Sequence, residues 1–140
     1  MAEAFTLKLV TPEGTLFDGA VEAAIAVGTL GVFGVLAHHI DFVTSLRPGL
    51  VNLVESEGRT QSYLVSGGIA EVKNGALTLL VPEARLAGEI DTANSEQRLK
   101  AARERLARLS SYEPDYPEAE QELLMAQAVE QVAALQRSHR

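Results

Sequence analysis

The chain has 140 residues, no cysteine and a formal net charge of −7 from 12 basic and 19 acidic side chains. That acidic balance argues against nucleic acid as a ligand, because phosphate binding draws on a cationic surface, and the lack of cysteine excludes disulfide staples and thiolate metal sites. No apolar run approaches the roughly 20 residues of a membrane-spanning helix, and Met1-Ala-Glu-Ala-Phe5 lacks the basic start and apolar core of a secretory leader.

Up to residue 88 the chain reads as short strands separated by turn residues. Phe5 to Val10 alternates apolar and polar positions, the mark of a half-buried strand. Thr11-Pro-Glu-Gly14 is a turn, with Pro at its second position and Gly at its end. Thr15 to Gly19 and Val21 to Val27 read as two further strands. Gly28, Gly31 and Gly34 then punctuate an uncharged stretch, Leu30 to Leu36, and glycine within a strand pattern marks a bend, a bulge or a close backbone approach. In an extended segment Val32 and Phe33 point to opposite faces. One face can enter a core; the other is either buried by another layer or meets a partner.

His38-His39-Ile40-Asp41 forms a loop before the strand Phe42 to Leu46, and Arg47-Pro-Gly49 turns into Leu50 to Val54. Glu55 to Gly58 is a hairpin tip with Gln61 to Ser66 as its return strand. Ser66-Gly-Gly68 bends the chain into Ile69 to Val72, and Lys73-Asn-Gly75 is a hairpin signal before Ala76 to Val81. Eight to ten short strands at this spacing predict a β-sandwich or flattened barrel over residues 1–88.

At Gly88 the apolar period changes. Beyond it there is no glycine, and Leu99, Ala102, Leu106 and Leu109 recur at helical spacing. Asp91 or Thr92 is expected to cap a helix running to about Leu109. Ser110 to Pro117 is a connector whose two prolines break the pattern, and Pro117 opens a second helix from about Glu118 to Arg137. A short connector implies an antiparallel hairpin over residues 89–140. The expected fold class is therefore mainly β plus α, a sandwich followed by a two-helix arm.

The two helices carry opposite charge. Residues 98 to 108 hold Arg98, Lys100, Arg103, Arg105 and Arg108 against a single acid, Glu104; residues 113 to 130, the end of the connector and the second helix, hold Glu113, Asp115, Glu118, Glu120, Glu122 and Glu130 with no basic residue. Such helices attract each other across a hairpin, and the basic one is equally suited to an acidic partner surface when the hairpin opens.

Little here suggests chemistry. Adjacent His38 and His39 point to opposite faces of an extended chain, and the third histidine, His139, is far along the sequence. The glycines lack the Gly-Lys-Ser/Thr ending of a phosphate loop, and no Ser/His/acid or paired-carboxylate pattern stands out. No catalytic residue, metal ligand or cofactor is nominated. A rigid docking domain with a movable arm fits better than an enzyme.

Three ordered blocks resemble the epsilon subunit of the F-type ATP synthase. They are Leu7-Lys-Leu-Val-Thr-Pro-Glu-Gly-Thr-Leu-Phe-Asp-Gly19, the long segment from Gly31-Val-Phe-Gly34 through His39 to Arg47-Pro-Gly49, and Ser66-Gly-Gly-Ile-Ala-Glu-Val72, with Asp115-Tyr116 in the connector. The chain departs from the family in two places. Val32 stands where the family signature has an acid, and Ala37-His38-His39-Ile40-Asp41 stands for Pro-Gly-His-Ala-Pro, so that His39 matches the family histidine and His38 replaces a glycine.

The resemblance implies a non-catalytic rotor subunit that couples proton-driven rotation to ATP synthesis. Its partners would be the gamma subunit, the membrane rotor ring and the catalytic alpha and beta subunits. It would sit at the cytoplasmic side of the inner cell membrane, touching the membrane only through partners. Thr29, Leu30, Gly31 and Val32 would face the ring, with Val32 exchanging a charged contact for an apolar one; His39 and Asp41 would lie near gamma. The arm would oppose ATP hydrolysis when extended, with Arg98, Arg103, Arg105 and Arg108 meeting an acidic segment of the catalytic subunits. The alternative is a nucleotide-sensing module. Some family members bind ATP through Ile/Leu-Asp-x-x-Arg-Ala, but here Ile90-Asp91 is followed by Asn94-Ser95. Losing a guanidinium removes a bidentate phosphate donor, so ATP binding is expected to be weak or absent.

Overall fold

A computed structural model describes residues 3–138. The chain divides into two compact units, residues 1–87 and 88–140.

The first unit holds ten strands: β1 (Phe5–Thr11), β2 (Gly14–Val21), β3 (Ala23–Gly28), β4 (Gly31–Val35), β5 (Phe42–Leu46), β6 (Gly49–Val54), β7 (Thr60–Val65), β8 (Gly68–Lys73), β9 (Ala76–Leu80) and β10 (Ala84–Leu86). Hydrogen bonding runs β10-β7-β6-β3-β5-β8-β9-β1-β2, with β4 paired to β3 off this path. The corner is β3 against β5, which share the single pair Gly28 and Leu46. On one side of it Ala24, Ala26, Val35, Val51, Leu53, Tyr63 and Val65 point inward; on the other Leu7, Leu9, Val21, Ala70, Val72, Leu77 and Leu79 do, and all join one core. This is the sandwich expected from the alternation. In β1, buried Phe5, Leu7 and Leu9 alternate with exposed Thr6 and Lys8, as a strand with one face in the core requires.

The turns follow their chemistry. Asn74 and Gly75 both have positive φ, 52° and 78°, and connect the paired Lys73 and Ala76, the left-handed pair that a two-residue hairpin demands. Two boundaries differ from the sequence expectation. The strand read from Val21 to Val27 is broken at Glu22, whose N–H donates to the carbonyl of Val54 at 2.7 Å; β2 ends and β3 begins around it. The three-residue β10 is too short to leave a periodic signal, and it forms by pairing with Tyr63, Leu64 and Val65.

The second unit contains α1 (Ser95–Ala107) and α2 (Tyr116–Ser138). They lie antiparallel, as the pairs Thr92 with Gln136, Ser95 with Glu130 and Arg105 with Glu122 show. Ala102 of α1 is buried, as are Ala119, Ala126 and Ala133 of α2, which recur every seventh residue along one seam. Helix α1 starts later than the sequence suggests. Neither Asp91 nor Thr92 caps it: the residue before the helix is Asn94, left-handed at φ 63°. Asp91 accepts a hydrogen bond from Ala93 N at 2.9 Å, closing a local turn instead. No helix among the described residues is long and apolar enough to cross a membrane.

Candidate docking surfaces

The sandwich presents an uncharged apex. Thr29 and Leu30 form the two-residue turn between the paired Gly28 and Gly31, and Gly31 takes φ 129°, open to glycine and strained for other residues. The turn is held from behind, since Thr29 N–H donates to Ser45 O at 3.0 Å and Arg47 N–H to Val27 O at 2.9 Å. On this fixed support Leu30 is 98% exposed and Val32 71%. No charged residue occurs from Ala23 to Ala37. Leu36, Ile40 and Val43 are exposed as well, so apolar surface also extends to the following loop. Scattered exposed leucines are ordinary; several drawn from one apex and its neighbouring loop mark a contact surface.

Underneath, aromatic side chains join the apex to that loop. Phe33 lies edge-on to Phe42 with ring centroids 5.5 Å apart, and His39 packs on Phe42 at 5.0 Å. Gly28 makes room for this, since a Cβ there would lie 3.3 Å from the Phe33 ring. Nδ1 of His39 is 2.8 Å from the carbonyl of Ile40 and therefore carries the proton it donates. Asp41 accepts from Asn74 N at 3.0 Å, tying the loop to the β8–β9 turn. His38, left-handed at φ 66°, turns away to donate to Glu3 at 2.8 Å. The two adjacent histidines thus have separate partners, and His139 lies outside the described residues.

Thr29, Leu30, Gly31 and Val32 are therefore together at one tip, with His39 and Asp41 on the loop beside it. Sequence reasoning missed Phe42, whose role depends on contacts across the fold. It also missed Ile40, for which an isoleucine between two polar loop residues was the available signal.

In the helical unit the basic residues separate into two groups. Arg105 is half-buried against α2 and pairs with Glu122 and, at 3.6 Å, with Glu118. Glu122, by hydrogen bond and charge, and then Glu118 hold its guanidinium above its usual range. Arg98, Arg103 and Arg108 are exposed. At the open end of the hairpin Glu130 accepts from the Ser95 hydroxyl at 2.6 Å and from Arg137 at 2.8 Å. Ser95, then Arg137, pull its carboxyl below the usual range. Ile90 is half-buried and Asp91 is engaged in its own turn.

The described residues thus form a β-sandwich with an exposed apolar apex and a charged helical hairpin. The family described as ATP synthase, Delta/Epsilon chain, beta-sandwich domain matches residues 4–87. An ATP synthase epsilon chain of Paramagnetospirillum magneticum is 35% identical over 129 residues, 92% of this chain and 96% of that one. The epsilon chain of Pelotomaculum thermopropionicum is 39% identical over 102 residues, 73% of this chain and 75% of its own. Among solved structures, a chain in the cryo-EM structure of the Euglena gracilis mitochondrial ATP synthase, OSCP/F1/c-ring in rotational state 1, superposes with a TM-score of 0.79 at 27% identity, covering 96% of this chain and 84% of that chain. The chain belongs to the ATP synthase epsilon chain family, whose members are accessory rather than catalytic subunits.

Proposed function

We propose that this protein is a rotor subunit of an F-type ATP synthase, bound peripherally at the cytoplasmic side of the inner membrane and coupling proton-driven rotation to ATP synthesis. The sandwich binds gamma and the membrane rotor ring. Thr29, Leu30, Gly31 and Val32 meet the ring, and His39 with Asp41 meets gamma. The observation that carries this reading is the exposed, uncharged apex on the family's sandwich: Leu30 and Val32 stand in solvent at 98% and 71% exposure, although the rest of the unit encloses a single core. Support comes from the Euglena chain, which lies in an assembly containing F1 and the c-ring.

In the same reading the hairpin is a regulatory arm. Arg98, Arg103 and Arg108 are exposed for an acidic catalytic-subunit segment, and Arg105 joins them once α2 lets it go. Exposed pairs of this kind are weak, which suits an arm that exchanges one set of partners for another. The alternative, a nucleotide-sensing hairpin, is less favoured: Asn94 stands where the resemblance puts a phosphate-binding arginine, and the neighbouring Arg137 is engaged by Glu130.

The test is ATP hydrolysis by the catalytic sector reconstituted with the full chain or with residues 1–88. Faster hydrolysis with the shorter form supports the inhibitory arm; equal rates while both forms bind gamma confine the function to the sandwich. Failure of either form to bind gamma sinks the whole reading.

A further inference from the structure

Helix α1 has no cap of its own. Asn94 precedes it in the left-handed region and its side chain makes no capping hydrogen bond. The two residues best suited to the task are used elsewhere, Asp91 on Ala93 N and Thr92 on Gln136 of α2, to whose Oε1 its hydroxyl donates at 2.9 Å. Yet Ser95, the first residue of the helix, is only 4% exposed, and its hydroxyl needs an acceptor there. That acceptor is Glu130 Oε2, 35 residues away on the other helix. The second carboxylate oxygen of Glu130 accepts from Arg137. Arg137 in turn lines a polar depression with Thr92, Asn94, Ser95, Glu96 and Gln97. A guanidinium so close to the positive end of a helix dipole is unfavourable unless an anion stands with it; Glu130 is that anion.

We infer that Glu130 anchors the start of α1 from the opposite helix, through the Ser95 hydroxyl, so that order in the first turn of α1 is conditional on α2 being seated against it. The two ends of the hairpin then behave differently. Towards the connector, half-buried Arg105 holds the exposed Glu118 and Glu122, and releasing them removes no contact from the start of α1. At the open end, separation also removes the anion and the hydroxyl acceptor that the start of α1 relies on. Opening of the base and unwinding from Ser95 onward are one event, and the arm is built to open from a frayed helix start.

Amide hydrogen exchange on the full chain tests this. The first amide bonded within α1 is that of Arg98, which donates to Asn94 O at 2.9 Å. In Glu130→Ala, exchange at Arg98, Leu99 and Lys100 is expected to rise on the order of five-fold, the effect of losing one ordinary side-chain hydrogen bond, with the amides of Arg103 to Ala107 unchanged. Glu130→Gln, which keeps an acceptor for Ser95 but no charge, is expected to give a smaller rise confined to the same amides, and it carries the test if the alanine variant folds poorly. Unchanged exchange at the first turn in both variants overturns the inference. So does an equal rise along the whole of α1, which would make Glu130 a tether between whole helices and not an anchor of the first turn.

Discussion

Phe42 meets Phe33 edge to face, with planes at 88° and centroids 5.5 Å apart, and through this one contact the β3–β4 turn and the His39 loop share a foundation. Edge-to-face pairs contribute beyond simple area burial, and here the pair also fixes where Leu30 and Ile40 stand. Phe42→Ala is expected to lower unfolding stability by about 3 kcal/mol, at the lower end for aromatic truncation because the ring is only half-buried. Gly28→Ala is expected to cost about 1 kcal/mol by pressing on the Phe33 ring. Urea unfolding followed by far-ultraviolet circular dichroism measures both, and a loss below a few tenths for Phe42→Ala would show that the two loops are held independently.

Charge at the apex is expected to separate folding from docking. Leu30→Asp and Val32→Asp alter exposed side chains, so stability is expected to stay within about 0.5 kcal/mol of the parent. Binding to the isolated rotor ring is expected to weaken at least ten-fold. The parent interaction, being apolar, is expected to change little between about 0.05 and 0.3 M salt, a range over which surface ion pairs are progressively screened. A steep salt dependence in the parent would mean that charged residues elsewhere carry the contact.

Gly68 has no room for a side chain. Its φ is 125°, and a Cβ would sit 2.2 Å from the carbonyl oxygen of Leu80. That atom is backbone in the adjoining strand and cannot swing aside. Gly68→Ala is expected to cost more than about 3 kcal/mol, combining backbone strain with overpacking, and to appear as insoluble or unfolded protein. Gly88→Ala, with open space around it, is the matched control.

Acid is expected to loosen the hairpin base. The folded-state pKa of Glu130 is depressed by Ser95 and Arg137, so its contribution is present above the ordinary carboxylate value and lost as pH falls through the lower folded value. Arg137 faces Glu130 and also feels Glu96; its raised pKa matters only in strongly alkaline solution. Exchange at Arg98 to Lys100 is therefore expected to be steady, after correction for intrinsic rates, above about pH 5 and to rise in more acidic solution. Glu130→Gln should flatten that response, and an unaltered response in the variant would assign it to another carboxylate.

Titration with magnesium ATP is expected to give no saturable heat up to about 1 mM, the limit set by a binding free energy near −4 kcal/mol. Asn94→Arg tests the reason. If restoring the guanidinium alone produces binding, the missing side chain was the obstacle; if it does not, that explanation is wrong.

The sandwich was legible because its strands carry their own period: Leu7 and Leu9 bury while Lys8 does not, and Asn74-Gly75 announces its turn. The arm was legible from the loss of glycine and the return of Leu99, Ala102 and Leu106. The start of α1 was not, since Asp91 and Thr92 look like caps until their actual partners, Ala93 and Gln136, are seen. The apex could be found from an uncharged run, but its support could not. Phe33, Phe42 and His39 meet only in the folded chain, and Glu130 reaches Ser95 across 35 residues. Local pattern reveals what neighbours in sequence dictate, and these contacts have none.

Strand β1 lies between β2, its antiparallel neighbour, and β9, with which it pairs in parallel from Leu7 to Val10. In chain order β1 meets one partner within a few residues, while the other lies some seventy residues from it. Until β9 arrives, the β1–β2 hairpin keeps a bare edge, the kind of surface that recruits stray strands, and its closure depends on distant contacts that slow folding. Only when Leu77 to Leu80 lie alongside Leu7 to Val10 does that edge close.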